Sequence, residues 1–332
     1  MKTCSIIIVT YNGWAITRDC LKALDPELTP NIDVLVVDNG STDGTPDHVR
    51  RDFGWADVIE TRNNLGFAAG NNIAIRRTSG EFVLLLNSDA IVHPGAVHAL
   101  LDTISTGDRV GSAAATMVFR SNPNVVASAG IDVFSNGLAL DRDLGRPLDT
   151  VQDGVSIFGV SAGAAIYRRA ALEDVGLFPE SFFMYLEDVD LAWRLRLRGW
   201  ESRLSSGAVV EHVYSASSME GSTFKRRLLA RNRIWYMARC LPSWFLRRHG
   251  PRIAIYDLLV ATSAVTRRDG ASLSGRLSGL AGLRSRLAER REIQDGILAD
   301  RSVIERWIHN SPSPRELIEQ RRLAGRLASG RS

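Results

Sequence analysis

The first hundred residues repeat one pattern: a short β-branched apolar run, an abrupt polar turn, then a stretch of helical character. Ser5–Thr10, Ile32–Asp38 and Glu81–Leu86 read as strands buried on both faces, and Asp57–Glu60 as a weaker one. Between them Ala15–Leu24, a segment opened by Thr45 and Pro46, Ala68–Arg77 and a segment opened by Pro94-Gly95 read as helices. Strands alternating with helices specify an α/β fold whose mainly parallel sheet is covered on both sides.

The pattern loosens over residues 107–165. Strands are expected near Gly111–Phe119 and Gly163–Tyr167, helices at Arg169–Val175 and Glu187–Arg198, and a last strand at Val209–His212. Beyond Phe224 the sequence turns to Arg- and Leu-rich helices, and from Ser311 a Pro/Arg-rich stretch is expected to be loose. We therefore expect a catalytic domain over residues 1–223, with halves at about 1–105 and 106–223, and a basic helical extension over 224–332.

Charge divides at the same place. Phe224–Ser332 holds 23 Lys and Arg against 9 Asp and Glu, a net +14, whereas residues 1–223 carry −10. Such a tail seeks an anionic surface. Arg and interfacial aromatics in Phe224–His249 suit a helix lying on an anionic membrane, and packing on the core or a homodimer contact suits them equally. No nucleic-acid-binding motif is present. Cys4, Cys20 and Cys240 are too few and too scattered for a disulfide framework or a zinc site, as expected in a reducing cytoplasm. The first apolar run is too short for a signal peptide, and Ile253–Val265 is too short to span a bilayer. The expected location is the cytoplasm, free or on the cytoplasmic face of the inner membrane.

Asp38 and Asp89 each end an apolar strand where a loop begins, the edge at which open parallel sheets bind ligands. Asp also simply begins turns, so either residue alone is ambiguous. Asn39-Gly-Ser-Thr-Asp-Gly44 lets a ligand approach the backbone closely. Neither a Gly-x-Gly-x-x-Gly turn nor a P-loop is present, so a diphosphate would need a hard divalent cation, with Asp89 as its protein ligand. In the Glu187–Arg198 helix, Asp190, Arg194 and Arg198 share a face and predict a solvated, salt-bridged stripe. Asp188 shares the opposite, apolar face with Leu191, Ala192 and Leu195, where partial burial would tune it as a base. His212 reads as structural or as a metal ligand.

Six segments in this order resemble glycosyltransferase family 2, which has the GT-A fold. They are Ile7-Ile-Val-Thr-Tyr-Asn-Gly13, Val36-Val-Asp-Asn-Gly-Ser-Thr-Asp-Gly44, Asn63-Asn-Leu-Gly-Phe-Ala-Ala-Gly-Asn-Asn72, Leu86-Asn-Ser-Asp89, Ser161-Ala-Gly-Ala164 with Arg168-Arg169, and Phe183-Met-Tyr-Leu-Glu-Asp-Val-Asp190. The resemblance covers about residues 3–240 and is nearest to bacterial rhamnosyltransferase-like members of cell-surface polysaccharide assembly. It implies a donor site of Thr10, Tyr11, Asn12, Asp38, Asn39, Asn64, Gly66, Asn71, Asn87, Ser88 and Asp89, with Gly163 and Ala164 near the donor sugar or acceptor. It implies Mg2+ or Mn2+ on Asp89, joined by His212, and catalysis by Asp188 beside Glu187. The partners implied are a dTDP- or UDP-linked sugar and a saccharide or lipid-linked acceptor, with residues 224–290 facing a membrane. The sequence departs from the family's Asp-x-Asp at Asn87-Ser-Asp89, and from its Asp-Asp at Asp38-Asn39. The alternatives are a nucleotidyltransferase and a catalytically silent sugar-nucleotide-binding protein.

Overall fold

The computed structural model describes residues 3–212 and 222–328, so the end of the expected catalytic domain at 213–221 lies outside the described residues. The chain opens with β1 (Cys4–Thr10), α1 (Trp14–Leu24), β2 (Ile32–Asp38), α2 (Thr45–Asp52), β3 (Ala56–Glu60), α3 (Gly66–Arg77), β4 (Phe82–Asn87), β5 (Ala90–Val92) and α4 (Ala96–Ile104). It continues through β6 (Val110–Phe119), β7 (Asn122–Ser128), β8 (Ile131–Phe134), β9 (Ala139–Asp141), β10 (Ser156–Ile157), β11 (Ala164–Arg168) and α5 (Arg169–Val175). Then come α6 (Glu187–Leu197), β12 (Glu201–His212), α7 (Thr223–Cys240), α8 (Ser243–Thr266), α9 (Gly270–Ala281), α10 (Leu283–Asp295), α11 (Arg301–Glu305), β13 (Ile308–His309) and α12 (Pro314–Ala328).

The main sheet runs β10-β12-β6-β11-β4-β1-β2-β3. Its first half is parallel, as the buried apolar runs imply: β3, β2, β1 and β4 pair side by side in one direction. The second half is mixed, with β12 parallel to β6 within it. β11 pairs antiparallel with both β4 and β6, and β5 and β10 pair antiparallel with β12. β5, β10 and β11 are short, and the turns among them gave no clear periodicity.

Ile6, Ile8, Val34, Val36, Leu84 and Leu86 face one apolar core, while Ile7, Leu35, Val37, Val83 and Leu85 face another across the sheet. This alternation is the strand's twofold side-chain period with both sides covered. A third core joins α6 to the C-terminal helices through Phe182, Val189, Trp193, Trp235, Tyr236 and Phe245. Of the aromatic residues in Phe224–His249, Trp235, Tyr236 and Phe245 are buried, Trp244 is partly buried and Phe224 is exposed. The stretch from Ser311 is also not loose. Ser313 and Glu316 form a reciprocal capping box, each backbone N–H donating to the other's side chain, and α12 follows. Among the described residues no helix is long and apolar enough to cross a membrane.

Candidate active site

Strand register brings the predicted residues of β1, β2 and β4 to one edge. Thr10 pairs with Asp38, and Val9 with Asn87, so three strand ends open on the same side. Asp38 is buried, its Oδ2 accepting from the Ser41 N–H at 2.9 Å and its Oδ1 without a hydrogen-bond partner. A buried acceptor left open at a ligand edge is suited to a ligand donor. Asn12 accepts from the Thr42 N–H at 2.8 Å, and Ser41 Oγ accepts from the Asn12 N–H, which zips the first two loops together. Tyr11 stays half exposed beside them.

Asn39 is committed within the protein. Its amide donates to Asn64 Oδ1 and to the Gly66 carbonyl, and its Oδ1 accepts from Thr61 Oγ1 and the Leu65 N–H. Asn71 is likewise buried and donates to the Phe67 carbonyl. Gly66 has φ +85, and a Cβ there would stand 2.5 Å from the Phe183 carbonyl oxygen. Its place is therefore a close backbone approach between the start of α3 and the loop before α6. Ala164 is buried within the sheet opposite Leu86.

The second cluster is built by antiparallel pairing. β5 pairs with β12 so that Ala90 stands opposite His212, which returns that histidine to Asp89. His212 Nε2 lies 3.2 Å from Asp89 Oδ1 and 3.2 Å from Asn87 Nδ2. Gly163 adjoins them, its carbonyl accepting from the Asn87 N–H at 2.9 Å, and a Cβ there would press on Asn87 at 3.2 Å. A carboxylate, an imidazole and an amide make a partial donor set. That set fits a divalent cation whose remaining positions are filled by diphosphate oxygens and water. Among the described residues no three His, Cys, Asp or Glu side chains gather into a complete metal cluster.

Asp188 is presented differently. It follows a loop in which Phe183, Tyr185 and Leu186 all have positive φ, at 67°, 70° and 65°. Non-glycine residues in that region cost on the order of 1–3 kcal/mol each and persist only when their surroundings hold them. Every residue of α6 is buried except Asp188, which is partly exposed. Its carboxylate accepts from the Val189 N–H at 2.8 Å and the Ala162 N–H at 3.3 Å. Burial pushes the Asp188 carboxyl up to about 6, against those two N–H groups, which favour the ionised form. Glu187 is more deeply buried, and burial together with neighbouring Asp188 raises its carboxyl well above the usual range.

The expected solvated stripe is overturned. Asp190 and Arg194 are buried, and Asp190 accepts from Arg194 Nε at 2.8 Å and Arg239 Nε at 2.7 Å. Arg198 alone reaches partly into solvent, where it pairs with Asp174. The sequence period was right but the covering helices α7 and α10 are distant in the chain. Burial alone would raise the Asp190 carboxyl; Arg194 and Arg239 outweigh it and hold it below the usual range.

One cavity of about 430 Å3 joins these parts. Asn87, Asp89, Gly163, Glu187, Asp188 and His212 line it, whereas Thr10, Asp38, Asn39, Asn64, Gly66 and Asn71 do not. Its far wall was not legible in the sequence: Leu138–Asp141 from the β8–β9 hairpin, Tyr256 from α8, and Leu317, Gln320 and Ala324 from α12. The Ser313–Glu316 capping box with apolar residues at helical spacing was the signal that would have revealed α12.

Residues 5–176 match the family model described as glycosyl transferase family 2. The chain belongs to that family. It is a glycosyltransferase, which sets aside the nucleotidyltransferase alternative. The N-acetylglucosaminyl-diphospho-decaprenol L-rhamnosyltransferase of Mycobacterium tuberculosis is 30% identical over 230 residues, 62% of this chain and 75% of the relative. The poly-beta-1,6-N-acetyl-D-glucosamine synthase of Staphylococcus epidermidis is 20% identical over 213 residues, 62% of this chain and 48% of the relative. In fold, a Pyrobaculum calidifontis mannosyltransferase solved with GDP-Man and Mn2+ matches with a TM-score of 0.55 at 16% identity, over 98% of this chain and 86% of that one. GalNAc-T7, solved with UDP, GalNAc and Mn2+, matches with a TM-score of 0.55 at 14% identity, over 75% and 54%. The GT-A-like sheet expected from the sequence is the one observed.

Proposed function

We propose that this glycosyltransferase moves a sugar, rhamnose in our reading, from a dTDP- or UDP-linked donor to a hydroxyl of a polyprenyl-diphosphate-linked saccharide, with inversion. The observation that carries the reading is Asp188, a cavity carboxylate held ionisable near pH 6 and oriented by two backbone N–H groups. The rhamnosyltransferase relative supports the sugar and acceptor class.

Asp38, with one buried oxygen open, would take a donor proton of the base, while Thr10, Tyr11 and Asn12 line the same edge. Asp89 and His212, with Asn87, would hold Mg2+ or Mn2+, which stabilises negative charge on the leaving diphosphate. Asp188 accepts the proton of the acceptor hydroxyl. That oxygen forms the new bond to the anomeric carbon from the face opposite the nucleotide, the bond to the diphosphate oxygen breaks, and nucleoside diphosphate departs. One base and one displacement give inversion, the stereochemical logic of inverting glycosidases. Incubation with dTDP-rhamnose, Mn2+ and a short-chain polyprenyl-diphosphate N-acetylglucosamine should release dTDP only when acceptor is present, and proton NMR should show the inverted anomer. A product of retained configuration, or donor binding without transfer, would overturn the assignment.

A lipid-linked acceptor needs a route from a membrane, and α8 supports one. Tyr256 lines the cavity, while Ile255, Leu258, Leu259 and Val265 are exposed on the same helix. Arg247, Arg248 and Arg252 before this stretch, and Arg267 and Arg268 after it, are exposed cations suited to anionic lipid. The membrane-facing part is thus proposed for α8 rather than for α7. Ile255→Ser with Leu259→Ser should abolish co-sedimentation with phosphatidylglycerol vesicles; unchanged co-sedimentation, or a loss of dimers instead, would exclude this face.

A further inference from the structure

The loop that presents Asp188 has an unusual support. Phe183 to Leu186 cannot join a sheet or a helix, because Phe183, Tyr185 and Leu186 turn the backbone through positive φ. Phe183 sits at φ 67 and ψ −64 with the Met184 N–H donating to the Phe182 carbonyl, a tight turn of the rarer, strained kind. Leu186, in the left-handed region at φ 65, is the N-cap residue of α6 and makes no side-chain cap hydrogen bond. The Met184 turn bond closes over Phe183 and does not reach Tyr185.

One side chain from α7 does. Asn232 is completely buried, and its Nδ2 stands 3.0 Å from the Phe182 carbonyl, 2.9 Å from that of Met184 and 2.8 Å from that of Tyr185. Its Oδ1 accepts from Arg231 Nε at 2.9 Å, and Arg231 Nη2 adds a bond to the Phe182 carbonyl at 2.8 Å. An amide nitrogen pointed at three carbonyls of one five-residue loop fixes that loop's dihedrals rather than a single contact. The next residue, Arg233, donates to the carbonyls of Asn136 and Gly137, in the turn that leads into the far wall of the cavity at Leu138–Asp141. Consecutive residues of α7 thus hold both walls, the one that carries Asp188 and the one that faces it.

We propose that Asn232 is a positioning residue for catalysis, clamping the strained 182–186 loop so that Asp188 points into the cavity. This rests on Asp188 being the base. The chemistry is specific to an amide. A carboxylate at 232 would set a negative oxygen against three carbonyls, and a serine hydroxyl carries one donor on a shorter stem. An error of about 1 Å in a catalytic group costs up to about a hundredfold in rate.

The test compares the full-length wild type with Asn232→Asp, Asn232→Ser and Asp188→Asn. Turnover is read with dTDP-rhamnose and the short-chain polyprenyl-diphosphate N-acetylglucosamine acceptor, and amide hydrogen exchange is read without substrate. Asn232→Ser should lower kcat about tenfold or more with donor KM within about twofold, and should speed exchange of the amides of 183–188 while β1, β2 and β4 keep their protection. Asn232→Asp should do both more severely; should it fail to fold, Asn232→Ser decides. Wild-type kcat together with unchanged exchange at 183–188 in Asn232→Ser would overturn the clamp. Wild-type turnover in Asp188→Asn would instead overturn the base, while the exchange result still reports on the clamp.

Discussion

Asp89 and Asp188 face the same cavity, yet the molecule delivers them by opposite means. Asp89 stands at the end of a regular strand, and antiparallel pairing of β5 with β12 brings its neighbour His212 home. Asp188 follows a loop that contains three strained residues and is held by side chains of α7, the next helix after α6. Backbone hydrogen bonds of a sheet position a group without help from any one side chain. A strained loop holds its shape only as long as its clamps do. The donor side should therefore tolerate damage to the C-terminal helices, and the base side should not.

The largest effect should come from the buried ion cluster that ties α6 to α7. Asp190→Ala strips the shared carboxylate from buried Arg194 and Arg239, leaving Arg239 to Glu289 and Arg194 to backbone carbonyls, and should cost about 3 kcal/mol in denaturant unfolding. A loss below about 1 kcal/mol would mean that the C-terminal layer does not brace the catalytic helix. Next comes Asp188→Asn, expected to lower kcat by about two orders of magnitude or more while donor affinity holds. Asp89→Asn should show the reverse pattern, with Mn2+-dependent donor binding weakened about tenfold or more. Calorimetric titration with dTDP in Mn2+ reads it, and equal affinity with and without Asp89 would remove that residue from the metal.

The smallest effects are in pH. Asp188 must be ionised to act, so kcat should fall on the acid side with a midpoint near 6. The same shift acts on stability in the opposite sense. The folded carboxyl titrates above its unfolded value of 3.8, so its contribution to stability is full below about pH 4 and lost as pH rises through about 6. Asp188→Asn should consequently melt higher than wild type above pH 6, by about 1 kcal/mol once its partial exposure is allowed for, and no higher below pH 4. A variant less stable than wild type at pH 8 would show that Asp188 is not paying a burial penalty.

Legibility followed the same division. β1, β2 and β4 were readable because a buried strand must be apolar along its whole length, and their terminal residues followed from where that run stops. α6 was readable by its length and period, but its environment was not. Asp190, Arg194 and Arg198 show a helical spacing that is identical whether the face meets water or another helix. The small strands β5, β8, β9 and β10 are two to four residues long and leave no periodic trace. The Arg-rich tail stayed ambiguous for a related reason. Arg233, Arg239 and Arg290 donate to carbonyls and carboxylates in the interior, and composition alone cannot separate an arginine facing lipid from one facing a carbonyl.

What the sequence determined by itself is the parallel nucleotide half, the family, and the candidate residues Asp38, Asp89, Asp188 and His212. All of these depend on local patterning and on order along the chain. What only the tertiary structure decided is which of them share the cavity, that Asn39 and Asn71 are committed to the protein's own loops, and that Asn232 bonds three carbonyls of the loop before Asp188. Those are contacts between segments far apart in the chain. Their energies come from burial and hydrogen-bond satisfaction, which no single segment carries alone.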